Sequence, residues 1–167
     1  MAIEKYRSPL LDVEKVLPIL NKISLLGGLD DAQLYAVFRI LETEHYRKGE
    51  YIFRQADEPD HIRIVQSGRV RIVEEVHGTP MELAEFGPGQ CFGETSVIAI
   101  QLHTASALAL EDCDLLVIPR EKLFQFHQTD PKLFGIMILN IAREACRRLK
   151  KTENIMLHYA LNEKTGH

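Results

Sequence analysis

The chain has 167 residues, of which 46% are hydrophobic and 26% charged, with a net charge of −4 and an isoelectric point near 6.0. A chain of this length and composition fits one domain with a terminal extension or a long helix, with a substantial core, and two full domains or a disordered chain are not expected. The excess of acidic over basic side chains argues against binding to the phosphate backbone of a nucleic acid. We therefore predict no direct contact with DNA.

The cysteines and the apolar runs indicate the compartment of the protein. Cys91, Cys113 and Cys146 are widely spaced and odd in number, which is typical of reduced thiols rather than of disulfides or paired zinc ligands. No apolar run reaches the roughly 20 residues that a membrane span requires, and no charged-then-apolar leader is present. These features predict a cytoplasmic protein with no membrane partner.

Residues 1–42 predict a helical lead-in. The apolar spacing over residues 13–26 predicts a helix that Pro18 limits or kinks. Asp30 or Asp31 is expected to cap a second helix, whose apolar residues fall on one face.

Residues 43–120 have the pattern of a small β-barrel. Short stretches of β-branched and aromatic residues, at 51–53, 62–65, 70–73 and 115–118, alternate with glycine turns. No long helix separates them, which disfavours a parallel α/β fold. The pattern predicts a mainly β protein with flanking helices, a β-roll or jelly-roll barrel.

Residues 121–167 predict the C-terminal helices. Thr129-Asp130-Pro131 offers a capping residue followed by proline at the first helical position, and the helical pattern continues to about residue 159. The apolar positions cover more than one narrow stripe, so one face can pack on the barrel while another contacts a partner. We predict a homodimer through this helix; the alternative is a long helix that packs only on its own domain.

Three segments, KGEYIF, QADEPDHIRIVQSGRV and FGPGQCFGE, place glycines at turns between the predicted strands. Their order and spacing resemble the cyclic nucleotide-binding domain of the catabolite activator and protein kinase regulatory subunit families, over nearly the whole chain. The resemblance implies a non-catalytic regulatory module in signal transduction. Such a module binds a cyclic nucleotide, needs no cofactor, and acts through its last helix on an unidentified downstream protein.

The resemblance also implies a phosphate-binding cassette that begins at Gly93-Glu94. Glu94 would accept a hydrogen bond from the ribose 2′-hydroxyl, and the turn that follows would bind the cyclic phosphate. Residues near 152 on the long helix would meet the purine, which favours cAMP over cGMP. The ligand-binding residues implied in this way are Gly93, Glu94, Thr95, Ser96, His103, Thr104, Ala105 and Thr152.

The sequence departs from the family pattern at His103, where the family has arginine. Histidine, with an ordinary pKa near 6.5, is mostly neutral at pH 7, whereas arginine is always charged. Three outcomes stay open: a protonated His103 substitutes, another arginine such as Arg63 or Arg71 reaches in, or the pocket does not bind cyclic nucleotides. A milder departure is Ala56, which stands where the family usually has glycine.

Two other classes of function are alternatives to a nucleotide-binding module. A degenerate domain would serve as a dimerisation or protein-interaction scaffold, or would bind another small anion. An enzyme is disfavoured because the seven histidines are scattered, without the spacing of metal ligands, and no nearby base is placed to activate Cys91 or Ser96. We predict no metal site and no catalytic residues.

Overall fold

The computed structural model describes residues 8–9, 14 and 16–165 of the chain. Within these residues the strands are, in chain order, β1 (Ser8–Pro9), β2 (Glu42–Tyr46), β3 (Tyr51–Phe53), β4 (His61–Ser67), β5 (Val70–Val76), β6 (Thr79–Phe86), β7 (Cys91–Phe92), β8 (Ser106–Ala109) and β9 (Cys113–Pro119). The α-helices of the same residues are α1 (Asp31–Phe38), α2 (Glu94–Ala99), α3 (Arg120–Thr129) and α4 (Pro131–Thr165).

The strands form two antiparallel sheets, with the orders β1-β2-β9-β4-β7 and β3-β8-β5-β6. Strand β9 is buried on both faces because it lies between two apolar layers. Leu115 and Val117 pack in the core between the sheets, while Leu116 and Ile118 point the other way and pack against the helices. The predicted fold class, a β-roll with flanking helices and a long C-terminal helix, is confirmed.

The lead-in differs from the single helix predicted over residues 13–26. Two 3₁₀ turns, Leu17–Lys22 and Ser24–Leu26, lie there instead, with Ile23 in an extended conformation between them. Pro18 falls in the first turn, where its missing N–H costs nothing. Residue 13 lies outside the described residues.

Helix α1 begins as predicted, and Asp30 is its capping residue. The Asp30 carboxylate accepts from the Gln33 backbone N–H at 2.9 Å, and the Gln33 side chain accepts from the Asp30 N–H at 3.0 Å. This reciprocal pair satisfies two of the donors that a helix N-terminus leaves open.

Helix α4 runs for 35 residues, a few more than predicted. Asp130 caps it by accepting from the Leu133 N–H at 3.0 Å. Its first half packs on the domain, and the buried Asn140 donates to the carbonyl oxygens of Leu25 and Gly27 at 3.1 and 2.8 Å. These bonds fix α4 against the lead-in, whereas the side chains of residues 151–162 are exposed.

Ala56 has a left-handed backbone conformation, with a φ of 70°. This conformation costs an L-residue about 1–2 kcal/mol of folding free energy, and glycine would avoid that cost. Glycine in turn lowers stability by about 0.4–1 kcal/mol, because its unfolded chain has more conformational entropy to lose on folding. We therefore expect Ala56→Gly to raise the free energy of unfolding by about 0.5–1 kcal/mol in urea denaturation. Ala36→Gly, in the middle of α1, should lower it by about 1 kcal/mol. A loss of stability in Ala56→Gly would contradict the strain assigned to this residue.

Candidate functional site

A cavity opens between the second sheet, α2 and α4. Its volume is about 220 Å³, and it is open to solvent on one side. Five apolar side chains line one side of it: Phe53, Ile72, Ala84, Phe86 and Phe92. This wall suits a flat, partly apolar ligand.

The polar side of the cavity begins at Gly93, which joins β7 to α2. Gly93 has a φ of 80°, a conformation that glycine adopts without strain. A Cβ at this position would lie 3.4 Å from the His61 carbonyl oxygen and 3.7 Å from the His103 ring. Glycine therefore allows the start of α2 to approach both residues closely.

Glu94, the first residue of α2, is fully buried and lines the cavity. Its Oε1 accepts a hydrogen bond from Arg148 Nη1, and its Oε2 has no partner among the described residues. Burial raises the pKa of the Glu94 carboxyl, while the Arg148 guanidinium acts in the opposite direction. A buried carboxylate oxygen without a donor is costly, so this atom is available to a ligand hydroxyl.

Arg148, on α4, lines the cavity and was not predicted as a site residue. Besides Glu94, its guanidinium donates to the Cys91 carbonyl oxygen at 2.5 Å and lies 3.3 Å from Glu144. The same group stacks over Phe86, 4.7 Å from the ring centroid. The resemblance implied only that residues near 152, about one helical turn further on, meet the ligand.

His103 lines the cavity with its ring stacked on Phe53, 3.7 Å between centroids and 8° from parallel. Its Nε2 is buried with no hydrogen-bond partner among the described residues. Burial and the nearby Arg63 lower the pKa of His103, against the smaller effects of Asp60 and Asp57. His103 is therefore neutral at pH 7.

Neither strand arginine considered as a substitute lines the cavity. Arg63 is buried and pairs with Glu44, with 3.0 Å between Nε and Oε2. The Tyr46 hydroxyl donates to the same oxygen at 2.8 Å, and Asp60 lies 3.9 Å from Arg63. Arg71 pairs instead with acidic side chains of the neighbouring strand β6.

The structure brings seven of the eight predicted site residues to the cavity. They are Gly93, Glu94, Thr95, Ser96, His103, Thr104 and Ala105. Thr152 is the exception among the residues described: it is exposed on α4, and its hydroxyl donates to the Arg148 carbonyl oxygen at 3.1 Å. Its contact with a purine stays a prediction.

The cavity does not have the chemistry of a nucleophilic site at Cys91. Burial, together with Glu94, raises the pKa of that thiol to about 12, so it is protonated at pH 7.

Within the described part of the chain, no three histidine, cysteine or acidic side chains lie close enough to hold a metal ion. The helices of that part also lack an apolar stretch long enough to cross a bilayer.

Comparison with known proteins agrees with this geometry. The family model for the cyclic nucleotide-binding domain matches residues 43–130. Human cGMP-dependent protein kinase 2 is 34% identical over 113 residues, which are 66% of this chain and 14% of the kinase. The cyclic AMP receptor protein of Thermus thermophilus is 31% identical over 130 residues, 77% of this chain and 58% of the receptor.

The crystal structure of the Thermus thermophilus catabolite activator protein has the same fold, with a TM-score of 0.71 and 29% identity. The match covers 82% of this chain and 63% of that protein. This chain thus spans less than two thirds of the length of each of these relatives. The family model covers more than half of it and includes the residues of the cavity from Gly93 to Ala105. The chain belongs to the cyclic nucleotide-binding domain family.

Proposed function

We propose that this chain is a regulatory module that binds a cyclic nucleotide in the cavity and passes the signal through α4 to a downstream protein. The observation that supports this most is the buried Oε2 of Glu94, a residue that lines the cavity, because this oxygen has no donor among the described residues. An ionised carboxylate only accepts hydrogen bonds, and a ribose 2′-hydroxyl would donate the one that is missing. We assign the module no catalytic step.

Arg148 supports the coupling to α4. Its guanidinium is bonded to Glu94 in the cavity, while its backbone belongs to the long helix. A ligand that contacts both the barrel and this side chain binds one placement of α4 better than another. Such a difference in affinity shifts the population of the helix.

We propose cAMP as the preferred ligand. The match to the cyclic AMP receptor protein covers 77% of this chain, whereas the match to the cGMP-dependent protein kinase covers 66%. Thr152 would contribute to this preference only if α4 moves from its position in this structure, or if the residue comes from a second copy. The named relatives differ in their nucleotide, so the choice requires a direct measurement.

Titration calorimetry with cAMP, cGMP and 2′-deoxy-cAMP tests the proposal. We expect cAMP to bind, and 2′-deoxy-cAMP to bind about 10-fold or more weakly, because it leaves the Glu94 oxygen buried without a donor. Glu94→Ala should remove this discrimination, whereas Glu121→Gln, on the exposed start of α3, should retain it. No binding of cAMP or cGMP at millimolar concentration would overturn the proposal.

A dimerisation scaffold is the second candidate function. It is favoured by the neutral His103 and by large apolar side chains exposed along α4. These are Leu149, Ile155, Met156, Leu157, Tyr159 and Leu161. We propose a homodimer through α4 in either case. Sedimentation that shows a tight dimer unaffected by nucleotides, with no nucleotide binding, would favour the scaffold.

A further inference from the structure

The cavity has little positive charge to offer an anion. Among its described lining residues, Arg148 is the single permanent cation, and Glu94 is an acid paired with it. His103 is neutral, and both Arg63 and Arg71 are engaged elsewhere. A cyclic phosphate that enters this cavity therefore meets one fixed positive group.

Arg148 has the capacity to bind an anion without leaving its present partners. A guanidinium has five N–H donors, and the contacts of Arg148 are with Glu94, Glu144 and the carbonyl oxygen and sulfur of Cys91. A phosphate oxygen at the cavity face would use a donor that these contacts leave over. The side chain is 29% exposed and is one of the residues that line the cavity.

We propose that Arg148, on the C-terminal helix, supplies the positive charge that binds the phosphate of the ligand. The inference rests on the proposed function and deepens it, because it places the charge that recognises the ligand on the helix that would transmit the signal. Two buried atoms that have no hydrogen-bond partner in the described part of the chain, Glu94 Oε2 and His103 Nε2, belong to residues that line the cavity and support it as the place of the ligand. Helix α4 would then sense the phosphate directly and not through the barrel.

The test compares cAMP with adenosine, which has the same base and an uncharged ribose, by NMR chemical-shift titration. We expect Arg148→Gln to weaken cAMP binding about 30-fold or more and adenosine binding only a few-fold, because only cAMP has the charge. Arg147→Gln is the matched control: the neighbouring residue makes an exposed ion pair with Glu144 and does not line the cavity. Its affinities should match those of the wild type.

A second arm separates a phosphate contact from a general loss of structure. In a His103→Arg background, which offers another cation, Arg148→Gln should cost cAMP affinity only a few-fold. An equal loss of cAMP and adenosine affinity in the single variant, or the same loss in both backgrounds, would overturn the inference while the proposed function stands. Failure of the wild type to bind any cyclic nucleotide would overturn both.

Discussion

His103→Arg is expected to bind cAMP about 10- to 100-fold more tightly than the wild type. An ion pair at about 4 Å contributes up to about 4 kcal/mol at an intermediate dielectric before desolvation, and a net gain of about 1.4–2.8 kcal/mol gives this range. The long guanidinium can keep the stacking on Phe53 that the imidazole now makes. Calorimetry of both proteins at pH 7 measures the change, and His127→Arg, on the exposed end of α3, controls for net charge.

The pH dependence of cAMP binding shows whether His103 takes up a proton when the ligand binds. Without ligand, burial and Arg63 hold the pKa of His103 below its ordinary value, so it is neutral at pH 7. A bound phosphate raises that pKa, so binding takes up a proton and tightens from pH 8 towards pH 6. His103→Arg should lose this dependence. If the variant keeps it, the proton is taken up elsewhere, with Glu94 the next candidate because its pKa is already raised by burial.

Glu44→Gln is expected to lower the free energy of unfolding by about 3 kcal/mol, equivalent to a melting temperature about 6–12 °C lower. The substitution keeps the size of the side chain and an acceptor for the Tyr46 hydroxyl, but it leaves the Arg63 charge buried. Arg63 Nη1 already has no hydrogen-bond partner among the described residues, and Asp60, at 3.9 Å, compensates only partly. Urea denaturation measures the difference.

The double variant Glu44→Gln, Arg63→Met is the control for this interpretation. It removes both charges together and fills the volume of the arginine stem with an apolar side chain. We expect it to recover most of the lost stability, to within about 1 kcal/mol of the wild type. A double variant as unstable as Glu44→Gln alone would show that packing, rather than the unpaired charge, sets the cost.

The sequence was informative where local pattern decides the structure. The strands predicted at 51–53, 62–65, 70–73 and 115–118 all lie within strands of the structure, because their apolar residues fill the two cores. Strand β6 has no such signal: its side chains are mostly exposed, and pairing with β5 forms it. The lead-in was predicted as one helix because its apolar spacing is helical, but tertiary packing holds it as two shorter 3₁₀ turns.

Only one half of the candidate site could be predicted from the sequence. The cassette residues from Gly93 to Ala105 are close in sequence, so a motif identifies them together. Arg148 lies 54 positions beyond Glu94, and nothing in the local pattern shows that a helix returns it to this carboxylate. Arg63 was a reasonable candidate by residue type, yet its partner Glu44 lies on β2, on the other side of β9 from the Arg63 strand β4. The sequence alone does not indicate this strand order.

If ligand binding shifts Arg148 as proposed, helix α4 would enlarge the shift, because it continues well beyond the cavity. From Arg148 to its end at Thr165 the helix extends for about 25 Å at 1.5 Å per residue, so a tilt of about 10° at Arg148 moves the tip by about 4 Å. Displacements of this size are enough to repack helices at a subunit interface. A rearrangement of one guanidinium beside Glu94 would thereby become a movement large enough for a neighbouring molecule to detect.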